Sequence, residues 1–232
     1  MQRNQTIKAL FAGLSIAFTC AGAQADELDN AVRIGYAGVS FNTKSGDLSG
    51  PPGTTPPGIQ VGLKNTDLLA LSYERRLSDQ WSVMLQAGTP PIIHVQGAGN
   101  AAALGSAVTA RTWFPAVLVN YTFASVFGVR PYVGAGVNYT FFTDRQVSAA
   151  YTNAVQGTSS SIKMKSSLGP VVRLGAEYPI DKNWAVEFGY LHYWIKTTAT
   201  ITTATPGFGN IVRTVDTKAN PDVLGLTLGY RF

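Results

Sequence analysis

The last ten residues, Val223-Leu-Gly-Leu-Thr-Leu-Gly-Tyr-Arg-Phe232, alternate without a break. Leu224, Leu226, Leu228, Tyr230 and Phe232 fall on one face, and Val223, Gly225, Thr227, Gly229 and Arg231 on the other. A period of two is a strand. Its apolar face ends in two aromatics, while the opposite face is small or polar apart from Val223. Such a strand suits a wall with lipid outside and aromatics at the membrane–water boundary. With its end inside a strand, this stretch needs a partner on each side, and a closed barrel supplies both.

Seven further segments read the same way: 32–42, which alternates poorly, then 68–77, 81–93, 113–123, 130–142, 168–178 and 184–195. With the terminal stretch they make eight, at lengths suited to tilted spanning strands of ~9–11 residues. The connections at 78–80, 124–129 and 179–183 are short, whereas 43–67, 94–112, 143–167 and 196–222 are long. Short turns on one side and long loops on the other are the pattern of an eight-stranded antiparallel transmembrane β-barrel, with periplasmic turns and extracellular loops. Trp81, Phe123, Tyr178, Trp184, Tyr230 and Phe232 gather at the short-turn ends, and Trp113, Phe141, Phe142 and Trp194 at the long-loop ends. A soluble eight-stranded ligand-binding barrel is the alternative, but it has no need of an apolar outside. The long connections, including the proline-glycine run 49–58, the run 157–161 and the threonine-rich 197–205, read as polar, loosely built surface loops.

Residues 1–25 have the parts of a cleaved secretory signal: Arg3 and Lys8, an apolar stretch to about Cys20, then Ala23-Gln24-Ala25 as a small-x-small cleavage site. The apolar stretch is short of the ~20 residues a helical span needs. A lipoprotein site at Cys20 is a weaker rival, because Thr19 is bulky for that role. The expected organisation is therefore a leader at 1–25, a barrel at 26–232, and Sec-type export to a bacterial outer membrane. Cys20 is the only cysteine and leaves with the leader, which removes disulfide and thiol chemistry. Loss of Arg3 and Lys8, with no acid in the leader, takes the formal charge from +5 to +3. That modest, dispersed excess does not imply nucleic acid.

Catalytic chemistry is thin. His94 and His192 both lie toward the long-loop ends, where a surface lipid hydrolase would keep its histidine, but no carboxylate and hydroxyl can be placed beside either from sequence. Two distant histidines are a poor basis for a metal site. Gly134-Ala135-Gly136 and Gly97-Ala98-Gly99 open no helix and are not phosphate loops. Asn138-Tyr139-Thr140 matches a glycosylation triplet inside a strand, a chance match. No enzyme activity, metal or cofactor is expected.

Parity sends Met84, Gln86, Leu118, Asn120, Asn138, Arg173, Glu187 and Leu191 into the lumen. An eight-stranded lumen holds side chains or one small ligand, which excludes a general aqueous porin. Arg173, Glu177, Glu187 and Glu74 can pair inside and close the periplasmic half, while Met84, Leu118, Val171 and Leu191 can line an apolar part; simple filling is equally consistent with this list. Pro90, Pro91 and Pro115 fall at similar heights on the third and fourth strands. Each lacks a ladder donor, so they either end those strands or mark a weak seam for lateral exit. Tyr230 and Phe232 finish the outward aromatic face, where barrel-assembly machinery is expected to read an address.

The run Phe114-Pro115-Ala116-Val117-Leu118 leading into Arg130-Pro131-Tyr132-Val133-Gly134-Ala135-Gly136-Val137-Asn138-Tyr139-Thr140-Phe141-Phe142 resembles the OmpW family of outer-membrane proteins. So do Ala87-Gly88-Thr89-Pro90, Asp181-Lys182-Asn183-Trp184 and the Gly229-Tyr230-Arg231-Phe232 ending. The resemblance spans nearly all of 26–232. It implies an eight-stranded barrel with a narrow apolar channel, taking small hydrophobic molecules across the lipopolysaccharide layer, with an alkane-uptake protein among its relatives. Gln86 departs from the apolar residue expected in such a channel, and loops one and four differ from relatives. The expected partners are outer-membrane lipid and lipopolysaccharide, the assembly machinery and small hydrophobic ligands. The competing function is a plugged structural barrel serving as envelope anchor, adhesin or phage receptor.

Overall fold

The computed structural model describes residues 29–232, so the expected leader at 1–25 lies outside the described residues. Its strands are β1 (Asn30–Phe41), β2 (Lys44–Ser45), β3 (Ile59–Leu63), β4 (Thr66–Arg76), β5 (Trp81–Gly88), β6 (Ile92–Gly99), β7 (Ser106–Trp113), β8 (Ala116–Thr122), β9 (Arg130–Val147), β10 (Ser159–Met164), β11 (Ser167–Pro179), β12 (Trp184–Tyr193), β13 (Lys196–Thr205), β14 (Gly209–Lys218) and β15 (Pro221–Arg231). Besides a 3-10 turn at Ala102–Leu104, a short α-helix, α1 (Ala149–Ala154), starts where the Ser148 hydroxyl accepts from the Tyr151 amide at 3.1 Å.

Eight strands close into an antiparallel ring in the order β1, β4, β5, β8, β9, β11, β12, β15. The ring seals where β1 meets β15, Ala31 opposite Arg231. In the short turn between β11 and β12, the Asp181 carboxylate accepts from the amides of Asn183 and Trp184, at 2.8 and 2.7 Å, and these bonds hold its pKa below the ordinary value. The barrel is inside-out relative to a soluble protein. Leu224, Leu226, Leu228, Tyr230 and Phe232 are all exposed, whereas Arg33, Arg173, Glu177 and Glu187 are buried. Only a solvent of lipid makes that arrangement favourable.

The long connections differ from the expected loose loops. Most of their length is strand: the β10-β13-β14-β2 sheet forms one wall above the ring, and β3, β6, β7 and the upper part of β9 form the rest. β9 runs for 18 residues, which at ~3.3 Å each is about twice the thickness of the apolar band. The threonine-rich 197–205 is β13, pairing along its whole length with β14. Threonine is β-branched and fits either face of a strand, so period two is hidden in the sequence. In the structure Ala199, Ile201 and Thr203 point inward. These walls enclose their own apolar core, with Leu48, Ile93, Val95, Val108, Tyr151 and Ile201 among its buried members. Phe142, assigned to the outer girdle by sequence, packs against this core instead. The run 157–161 likewise feeds into β10. Residues 49–58 do form a turn-rich connection, but it is tied down: Arg213 Nη2 donates to the Thr54 carbonyl at 3.1 Å. Burial pushes the nearby Tyr151 phenol above its ordinary pKa, with the charge of Arg213 pulling the other way.

Candidate functional site: a layered lumen and an interrupted ladder

The lumen is built in layers, and the lowest is charged. Arg33 reaches three carboxylates, with Nη1 2.5 Å from Glu74, Nη2 2.8 Å from Glu177 and Nε 3.0 Å from Glu187. Arg173 pairs with Glu187 and stands 4.1 Å over the ring of Tyr132. Arg231 pairs with Glu177, and Glu74 also accepts from Ser82 and, at 3.3 Å, from Asn120 Nδ2. Three arginines thus face three glutamates. Such a layer is stable only because each charge has an opposite within contact, since an unpaired buried ion is costly. Below it a vestibule of about 260 Å³ opens at the short-turn end.

Arg173, Glu187, Glu177 and Glu74 all lie in this layer, and so does Arg33, which sequence parity missed and which ties them together. The signal was present: Val32, Ile34 and Tyr36 are outward, which puts Arg33 inward. It was obscured because the inward face of β1 is Ala31, Arg33, Gly35, Ala37 and Val39, with little contrast to the outer one. Arg231 lay on the polar face of the last strand and was not connected to Glu177.

Above the charges the barrel is filled. Met84 and Leu118 are fully buried, as is Val171, and Leu191 nearly so. Gln86, Leu191 and Thr227 border a void of about 20 Å³, room for roughly one water. Gln86 therefore faces inward, as parity requires. Asn138 is inward too, yet it lines no passage: its Nδ2 donates to the carbonyls of Gly169 and Pro170 at 2.9 and 3.0 Å, clasping β9 to β11. Higher still, an apolar cavity of about 80 Å³ spans the barrel mouth and the upper storey, lined by Phe41, Leu63, Ile93, Phe114, Phe142 and Ile195 among others.

Beside this cavity the ladder breaks. The strand expected at 81–93 ends at Gly88 and resumes at Ile92, and the one expected at 113–123 begins only at Ala116, with Trp113 closing β7. Pairing of β5 with β8 stops at Gln86 opposite Ala116. It resumes, between β6 and β7, at Ile92 opposite Arg111, with one bridging bond from the Thr112 amide to the Pro91 carbonyl at 2.9 Å. Pro90, Pro91 and Pro115 occupy this gap. The physical cause is the missing N–H of each proline. Their neighbours on the far sides remain bonded, Thr89 to the Leu69 carbonyl and Pro115 accepting from Tyr139. The β8–β9 ladder runs on past Pro115, whereas the β4–β5 pairing also stops, at Ala70 opposite Gly88, and resumes between β3 and β6 at Leu63 opposite Val95. Phe114 lies at the inner edge of the proline gap, half-buried, edge-on to Tyr193 with ring centroids 5.5 Å apart.

His192 has neighbours that sequence reasoning did not supply. Asp222 Oδ1 lies 2.6 Å from His192 Nδ1 and accepts from the Tyr190 hydroxyl at 2.5 Å, while Asn42 donates to Oδ2 at 2.5 Å. β12 and β15 bring His192 directly opposite Asp222. The hydroxyl bonds the carboxylate and not the imidazole, so no nucleophile faces a base. His94 is an exposed residue of β6. Among the described residues no group of three or more His, Cys, Asp or Glu side chains is arranged to hold a metal ion.

Known outer-membrane proteins share this architecture. The OmpW family profile matches residues 27–232. Outer membrane protein W of Vibrio cholerae is 28% identical over 226 residues, 97% of this chain and 96% of that one. The dibenzothiophene metabolism operon protein PahQ of Pseudomonas aeruginosa is 29% identical over 177 residues, 75% of this chain and 77% of the relative. The crystal structure of the outer membrane protein OprG from Pseudomonas aeruginosa superposes with a TM-score of 0.78 at 27% identity, covering 89% of this chain and 96% of OprG. The chain belongs to the OmpW family, bacterial outer-membrane β-barrels that are transport or structural proteins and not enzymes.

Proposed function

We propose that this protein passively takes up small hydrophobic molecules, receiving them in the apolar extracellular cavity and releasing them sideways into the outer leaflet beside Pro90, Pro91 and Pro115. The observation that carries the reading is the stacking order: an apolar cavity above, a layer of paired charges below, and an interrupted ladder at the side of the cavity. A molecule leaving downward would displace buried ion pairs and then meet water, at a cost that grows with its apolar area. Leaving sideways exchanges one apolar surrounding for another. The phenylalanines of the cavity wall and the similarity to a protein of a dibenzothiophene metabolism operon support aromatic or comparably compact hydrophobic cargo.

Crosslinking the seam tests this. Thr89 is out of register with Ala116, which faces Gln86. The next opposed pair in the gap is Ala87 with Pro115, so the variant is Ala87→Cys with Pro115→Cys, made in a barrel with no other cysteine at 26–232 and read against Pro115→Cys alone, which must keep uptake for the crosslink to be the cause. Uptake of a fluorescent hydrophobic probe by cells should fall on oxidation and recover on reduction. A confirmed crosslink with unchanged uptake overturns the lateral route. The filled middle of the barrel, with Met84 and Leu118 wholly buried, favours the competing structural or receptor barrel. That reading requires probe uptake to be the same in cells with and without the protein.

A further inference from the structure

Five lysines project outward from the β10-β13-β14-β2 wall, and four of them line one shallow cleft. Lys218 on β14 is the direct register partner of Lys196 on β13 and of Lys44 on β2. Lys165, just past β10, joins from the other side, its amide donating to the Thr198 carbonyl of β13 at 3.0 Å. The cleft is open, with a volume of about 490 Å³, and Lys44, Lys165, Lys196 and Lys218 are all exposed along it.

Like charges directly opposite on neighbouring strands are destabilising, and here two such pairs share Lys218. Among the described residues none of the four lysines forms an ion pair, in contrast to Arg111, which meets Asp144 at 2.8 Å. The cleft has one carboxylate, Asp216, which accepts from the Thr198 hydroxyl at 2.7 Å and offsets one of the four positive charges. The wall is therefore built with an excess of positive charge that its own side chains do not neutralise.

The height of the row says what meets it. Trp194 is the exposed aromatic at the extracellular end of β12, stacked edge-on against His192. Lys196 lies two residues beyond it on the same outward face, ~7 Å further along the strand. On β11 the exposed Leu168 marks the same upper limit of the apolar band, with Lys165 just beyond. The row therefore lies immediately above the hydrocarbon, at headgroup level, within a Debye length of any charge held there.

We propose that Lys44, Lys165, Lys196 and Lys218 form a docking site for the phosphate groups of lipopolysaccharide, the phosphorylated glycolipid of the outer leaflet. The phosphates supply the missing counter-charge and fix the orientation of this wall against the leaflet. This inference rests on membrane placement and charge, and stands apart from the uptake route.

The test uses the folded protein in zwitterionic micelles, titrated with bisphosphorylated lipid A, with dephosphorylated lipid A, or with inorganic phosphate. Bound lipid is counted by native mass spectrometry, and stability is read by thermal unfolding. Replacing all four lysines (Lys44→Gln, Lys165→Gln, Lys196→Gln and Lys218→Gln) should weaken lipid A binding by more than about tenfold, whereas Lys182→Gln, in a periplasmic turn, should not. Without lipid, Lys218→Gln alone should be at least as stable as the parent, because it relieves both opposed pairs; with lipid A the order should reverse. If the quadruple variant does not fold, Lys196→Gln with Lys218→Gln takes its place. Undiminished binding by the variant, or equal binding of dephosphorylated lipid A, overturns the proposal. Equal stabilisation by inorganic phosphate alone shows a site for free anions and overturns the lipid assignment.

Discussion

Arg33 and Arg173 stand in the same charged layer but hold different amounts of it. Arg33 touches three glutamates, whereas Arg173 touches Glu187, which keeps Arg33 at 3.0 Å when Arg173 is gone. Arg33→Leu should therefore cost about 3–5 kcal/mol, the range for breaking a buried pair. Arg173→Leu should cost about 1.5–3 kcal/mol, nearer the worth of one charged hydrogen bond. Urea unfolding in lipid vesicles measures both, and equal losses would show that Arg33 is not the hub. Phe114 makes a different prediction. Its ring closes the inner side of the ladder gap against Tyr193, so Phe114→Ala should raise uptake of a bulky hydrophobic probe while leaving the charged layer intact. A fall in uptake, with normal amounts of folded protein, would show that the ring guides cargo and does not obstruct it.

Among the elements, β8 and β9 approach closely at Gly136, as β1 and β15 do at Gly35. A methyl group added at Gly136 would collide with the Val117 carbonyl, whereas one at Gly62 meets nothing within 4 Å. Gly136→Ala should lower stability by about 1–3 kcal/mol, as overpacking does, and Gly62→Ala should be close to neutral. The glycines around Ala135 are there to let two strands approach. The upper storey gives a second prediction at this scale. β13 and β14 pair over ten residues each, and their inward side chains are buried. Their amides should exchange slowly with deuterium, in contrast to the turn between them. Rapid exchange throughout 196–218 would restore the picture of loose loops. Sequence reasoning went astray here because threonine alternates with threonine, and a pattern of like residues carries no phase. It also extended the third and fourth strands through prolines, since hydrophobic runs on both sides of Pro90 and Pro115 look continuous until the missing donors are counted.

At the scale of the whole molecule, the first and last strands meet. The Asn30 amide donates to the Phe232 carbonyl at 3.2 Å, and the Phe232 amide to the Asn30 carbonyl at 2.9 Å, so the last residue helps close the ring. Phe232 is also exposed and stacks against Tyr230, with ring centroids 6.4 Å apart. We propose that barrel-assembly machinery reads this outward aromatic end. Deleting Phe232 should reduce the folded, heat-modifiable form recovered from the outer membrane, and a normal yield would remove the assignment.

The alternation of 223–232, the spacing of short and long connections and the aromatic ends determined the eight-stranded barrel, its direction in the membrane and the inward phase of Met84, Leu118, Arg173 and Glu187. Those properties follow from one strand and its two faces, and a chain carries them in its residue order. The meeting of Arg33 with glutamates from three other strands, the break in the ladder beside the prolines and the second apolar core above the membrane were decided by tertiary structure. Each depends on which strands lie side by side and in what register, and register is set by the closing of the whole ring, a condition that no single stretch of sequence contains.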